Sequence, residues 1–141
     1  MTRQDSPMIN SDQRIEKWGC AIMSVLFWIE QLDRKACFPP VIIPQMIRDM
    51  ERFGCFLDNE LTVIWDKCFK YFGWTVSVKK ESPVYACKDG EFEILELSKP
   101  GHTHFLPGDG QGHYTWDPLG MRPQQKDYKI KSKRVFRCLN V

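Results

Sequence analysis

Between Cys20 and Leu32 the chain reads CAIMSVLFWIEQL, apolar almost all the way round. A helix with so little polar face belongs inside a fold, not on its surface. Gly19 stands just before it and suits a helix start. The next stretch, Asp33 to Ile43, holds Pro39 and Pro40 and reads as a loop. Pro44 fits the first position of a second helix, where its missing N–H is not needed. Met46, Ile47, Met50 and Phe53 form the apolar stripe of that helix, and Gly54 ends it. A third helix is predicted up to Gly73, capped by Asp58 or Asn59. Its apolar positions are Leu61, Ile64, Trp65, Cys68, Phe69 and Phe72, at helical spacing.

After Gly73 the period changes to two. Trp74, Val76 and Val78 alternate with Thr75, Ser77 and Lys79, as in a half-buried strand. Glu91 to Ser98 reads as a second strand. His102 to Leu106 and His113 to Asp117 read as a hairpin around Pro107-Gly108-Asp109-Gly110, and Lys129 to Leu139 as a last strand. Helices first and an antiparallel sheet second make an α+β fold. The polar residues 1–12 are expected to form a flexible leader, and residues 13–141 a single domain.

Composition narrows the functional classes. Apolar residues make up 43% and charged residues 27% of the 141, ordinary for a protein with its own core. A net charge of +2 argues against a nucleic-acid partner. No apolar run approaches a membrane span, and the N-terminus lacks the apolar segment of a signal peptide, so a cytoplasmic location is expected. The six cysteines, at 20, 37, 55, 68, 87 and 138, are widely spaced and read as reduced thiols. No CxxC pair occurs, and the three histidines fall within twelve residues, which argues against a metal site. No oligomeric state follows from the residues.

Chemistry then turns on the thiols. A thiol nucleophile attacks as the thiolate, which the free N–H groups and dipole of a helix start favour. Cys20 fits this demand best of the six. Cys68 lies mid-helix on an apolar stripe, Cys138 in the last strand, and Cys55 and Cys87 are not at helix starts. Taken alone, Cys20 is equally a small buried residue. An activating base must be a histidine whose ring a third group orients. His104 and Asp117 fall in consecutive strands of the expected hairpin and offer this arrangement. Asp117-Pro118-Leu119-Gly120 also reads as a plain turn opener. His102 shares the strand face of His104 and is its rival as base. His113, close to the turn, is expected to be exposed.

The stretches WGCAIMSVL, HFLPGDGQGHYTWDPLG and SKRVF resemble papain-like cysteine peptidases. The nearest kind is the bacteriocin-processing peptidase branch and its compact bacteriophage relatives. The resemblance implies a papain-like fold in which a buried nucleophile helix precedes an antiparallel sheet. It implies Cys20 as nucleophile, His104 as base and Asp117 as the orienting residue, with no metal or organic cofactor. It also implies a Gln six residues before the Cys, donating to the oxyanion. Arg14 stands there, and Gln13 one place earlier takes that role if a loop is one residue longer.

The expected function is thiol-dependent hydrolysis of a peptide or isopeptide bond, with deamidation or acyl transfer as close variants. The alternative is a catalytically silent papain-like module that binds a protein partner, such as a phage accessory or inhibitor protein. A basic run, Lys126, Lys129, Lys131, Lys133, Arg134 and Arg137, reads as the solvated face of an edge strand. Its functional counterpart is a patch for an anionic partner such as nucleic acid or a cell-wall polymer.

Overall fold

A computed structural model describes residues 1–9, 12–119 and 128–139. Among these, four α-helices come first: α1 (Gln13–Trp18), α2 (Cys20–Leu32), α3 (Ile43–Phe53) and α4 (Trp65–Tyr71). Four strands follow: β1 (Val76–Glu81), β2 (Glu91–Lys99), β3 (His102–Gly108) and β4 (Lys129–Cys138). They form one antiparallel sheet in the order β1-β4-β2-β3, so the fold is α+β.

The apolar sequence of α2 has its expected consequence. Ile22, Met23, Val25 and Leu26 are fully buried. They share one core with Phe69 of α4 and with Phe92, Ile94 and Phe136 of the sheet. Aromatic rings close that core: Phe92 stacks on Phe136 at 5.3 Å, and Phe69 tilts against Phe136 at 5.1 Å. Trp28 packs on Phe92 at 4.8 Å, and its indole N–H donates to the Glu93 carbonyl at 2.9 Å. The α2 helix is thus fixed to the sheet by packing and by a satisfied polar tip. Among the described residues no helix is long and apolar enough to cross a membrane.

Four expectations are corrected. The third helix starts only at Trp65. Asp58 does not cap it; its carboxylate accepts from the backbone N–H of Glu60 and Thr62 and from the Thr62 hydroxyl. Those bonds close a tight turn, with Leu61 at φ 57°, and the returning segment bridges Phe56 to Val63. An Asp carboxylate serves either purpose, and the β-branched run Thr62-Val63-Ile64 favours extended backbone.

The second half of the hairpin is not a strand. Only Tyr114 bridges back, to Gly108. Gly110 and Gly112 both take positive φ, and Asp109 accepts from the N–H of Gln111 and His113, so the segment is spent on turns. Residues 1–9 are not a loose leader. Ile9 enters the core, Gln4 is 1% exposed, and the Thr2 hydroxyl donates to the Phe38 carbonyl at 3.1 Å.

Finally, β4 is a central strand, between β1 and β2, and not an edge. A bulge at Lys131 breaks its alternation: Glu96 pairs with Ser132, but Leu97 pairs with Ile130. Lys129 and Lys131 stay exposed, while Lys133 is 1% exposed and paired with buried Glu93 at 3.1 Å. Arg134 and Arg137 also pair with carboxylates, at Glu96 and Glu91. Lys131, Lys133, Arg134 and Arg137 are therefore drawn into ion pairs with carboxylates of β2; Lys126 and Gly120 lie outside the described residues.

Candidate active site

The site begins at the joint between two helices. Gly19 N–H donates to the Ile15 carbonyl at 2.8 Å, and a Cβ at Gly19 would collide with that same oxygen. The joint thus requires glycine for close approach, and it sets half-buried Cys20 at the first position of α2. There the first-turn N–H groups have no intrahelical acceptor.

The edge strand β3 carries His104 to this helix start. Its side chain is 4% exposed, and Nε2 lies 2.9 Å from the Asp117 Oδ1. Burial of the ring disfavours the imidazolium. Even so its pKa is raised to about 9, through the hydrogen bond to Asp117 and through hydrogen-bond and charge contact with Cys20. With Nε2 turned to the carboxylate, Nδ1 is the ring nitrogen left for a second partner. Asp117 is itself 3% exposed and is held by the Leu119 N–H, which donates to Oδ1 at 2.8 Å. Thiol, imidazole and carboxylate therefore stand in one row. Such a row can hold a thiolate–imidazolium pair and pass a proton to a leaving group.

The other candidates fall elsewhere. His102 opens β3 opposite Lys99 and is exposed, and exposed His113 pairs with Asp109 at 3.3 Å. Strand period places His102 and His104 on the same face; burial separates them. Gln13 opens α1 and is exposed. Arg14 is occupied as a clamp. It pairs with Asp12 at 2.8 Å and Glu51 at 2.7 Å, and its hydrogen bonds hold both carboxyls below their usual range. Of the remaining thiols, Cys55 and Cys68 are core residues, and Cys37 is exposed. Burial and the nearby Glu93 carboxylate push Cys87 up to about 12. Among the described residues no cluster of His, Cys, Asp and Glu could hold a metal ion.

Gln4 is the residue that sequence reasoning missed. Its backbone N–H donates to the Pro118 carbonyl at 2.9 Å, one residue past Asp117. Its amide Nε2 donates to the carbonyls of Ile15 at 3.1 Å and Glu16 at 2.9 Å, at the end of α1. In a continuous helix the Glu16 carbonyl would serve the Cys20 N–H. Gln4 thus ties the Asp117 loop to the helical turn that leads into Cys20. Gln4→Ala is expected to cost about 1–2 kcal/mol, by stripping a buried donor from two carbonyls. Denaturant unfolding checks this, and an unchanged midpoint would deny the segment its clamping role. Only the Gln at the fourth position, in an otherwise polar segment, could have signalled it.

Beside Cys20 a cleft of about 420 Å³ is walled by Trp18, Trp65 and Phe105, with Lys17, Glu60 and Arg134 among its polar residues. Row and cleft together define an α+β protein built around a thiol–imidazole–carboxylate site. The protein belongs to the family described as "Protein of unknown function, DUF261", whose model matches residues 2–138. That match takes in the N-terminal clamp as well as Cys20, His104 and Asp117. No curated protein and no solved structure matches it.

Proposed function

We propose that the protein is a papain-like thiol hydrolase that opens a peptide or isopeptide bond through Cys20, His104 and Asp117. One observation carries the reading: a buried histidine with a carboxylate at 2.9 Å on one ring nitrogen and a helix-start cysteine as its other partner. In the proposed reaction the Cys20 thiolate attacks the substrate carbonyl carbon. The oxyanion forms against the backbone N–H groups that open α2. His104 then gives its proton to the leaving amine as the C–N bond breaks, and a thioester remains. Water attacks the thioester, His104 takes its proton, and the carboxylic acid leaves as the thiolate is restored. Asp117 holds the imidazole by its Nε2–H throughout. Deamidation or transfer to an amine uses the same steps with a different leaving group or acceptor.

The exposed position of Gln13 favours a second reading, a papain-like module that binds a peptide or protein without turning it over. Loss of an amide donor to the oxyanion typically costs about 10²–10³ in rate. Labelling with iodoacetamide at neutral pH, mapped by peptide mass, separates the two. The hydrolase reading expects Cys20 to react roughly 10-fold faster than exposed Cys37, because the proposed base His104 adjoins Cys20 and has no proposed role at Cys37. Equal rates at the two thiols would favour the binding module.

A further inference from the structure

The cleft beside Cys20 has a charged floor and a nearly neutral rim. Lys17, exposed, lies over the Trp18 ring with its ammonium 4.7 Å from the centroid, and exposed Glu60 stands among the lining residues. One cation and one anion at the rim cancel. Arg134 is different: its side chain is only 17% exposed. Its Nη1 donates to the Glu96 Oε1 at 3.2 Å and to the Ser132 hydroxyl at 2.8 Å. The Ser132 hydroxyl in turn donates to the same Oε1 at 2.6 Å. The guanidinium is therefore fixed in place by one nitrogen.

Two features of that arrangement point to a ligand. Glu96 serves two cations, Arg134 and, at 3.9 Å, Lys131, so one positive charge is left uncompensated. Second, Nη1 is committed while Nε and Nη2 meet no acceptor among the described residues. Those two nitrogens form one edge of the guanidinium, the edge that takes both oxygens of a carboxylate in parallel. Trp18, Trp65 and Phe105 supply an apolar wall next to it.

We propose that this cleft recognises a carboxylate seated on the Nε/Nη2 edge of Arg134, with an apolar group against the aromatic wall. The substrate class is then an acidic peptide segment. The carboxylate comes from an acidic residue or from a peptide's own C-terminus, and the two present the same planar oxygens. This inference rests on the reading of the cleft as the substrate site of Cys20.

The test uses the full-length protein with Cys20→Ser, so that binding is read without chemistry. Three probes are titrated and followed by tryptophan fluorescence, since Trp18 and Trp65 wall the cleft. N-acetylglutamic acid α-amide carries only a side-group carboxylate. N-acetylglutamine carries only a terminal one, and N-acetylglutamine amide carries none. At least one carboxylate probe is expected to bind roughly 10-fold more tightly than the neutral amide, and the stronger of the two names the source. Arg134→Gln should erase the advantage, Arg134→Lys should keep part of it, and Lys35→Gln, at an exposed position outside the cleft, should leave it intact. Equal binding of all three probes, no saturable binding of either carboxylate, or an advantage that survives Arg134→Gln overturns the inference. If Arg134→Gln does not fold, the probe comparison in the parent and in Arg134→Lys decides alone. Rapid Cys20 labelling without carboxylate preference sinks only this inference. A carboxylate preference with slow labelling sinks only the hydrolase reading.

Discussion

Lys133→Met is expected to destabilise the domain by about 3–5 kcal/mol, because it strands a carboxylate in the interior. The Lys133 and Glu93 side groups are 1% and 0% exposed, with Nζ and Oε1 3.1 Å apart. The ammonium also donates to the Tyr85 carbonyl at 2.5 Å, and the carboxylate accepts from the Gly112 N–H at 3.1 Å. Glu93 lies so close over Gly108 that a Cβ there would strike its Oε2, which explains a glycine at the end of β3. Removing one charge leaves the other buried without its counter-charge; removing both does not. Lys133→Met/Glu93→Gln should therefore recover a large part of the loss, since the amide still offers an oxygen to Gly112. Chemical denaturation measures all three proteins. A single variant as stable as the parent would mean that water reaches the pair. The typical stability of a domain is only about 5–15 kcal/mol, so the single variant removes a large fraction of it. The pair pins the segment around Tyr85 and the turn at Gly112 onto the sheet, and the latter turn leads to Asp117.

That pair also marks where sequence reading stops. Alternation along Lys129, Lys131 and Lys133 describes a solvated lysine face, and it holds as far as the bulge at Lys131. A bulge depends on the partner strand, here Glu96 and Leu97, and leaves no local signal. The α2 helix is legible because its apolar sequence has few alternatives. Asp58 misleads because the same carboxylate oxygens that cap a helix also close a turn. At the site, Cys20 stands out by its helix start. His102 and His104 are equivalent by strand period, and only their burial, set by what packs on β3, tells them apart. Gln4 is invisible for a similar reason: both carbonyls it serves and the loop it holds are distant in sequence.

The His104 titration makes the proposed site testable as a function of pH. At pH 7, His104→Ala is expected to slow iodoacetamide labelling of Cys20 by about 10-fold. A thiol with no cationic neighbour is only a few per cent ionised there, and the lower nucleophilicity of an ion-paired thiolate offsets part of the gain. Asp117→Ala should act in the same direction but less, since it works through the ring. His102→Ala should change little. The imidazolium persists to about pH 9, so the advantage of the parent over His104→Ala should hold through neutral pH and vanish as pH rises past that value. Stability follows the same group. A histidine whose pKa rises from 6.5 to about 9 on folding stabilises fully below pH 6.5, and that contribution is lost as pH climbs to 9. Its full size is on the order of 3 kcal/mol. Against His104→Gln, the parent's stability margin should accordingly narrow between those two pH values. A margin that is flat across the window, together with labelling rates that ignore His104→Ala, would show the ring to be neutral and the row inert. Labelling that responds to His102→Ala and not to His104→Ala would move the base two residues along β3 and leave the thiol in place.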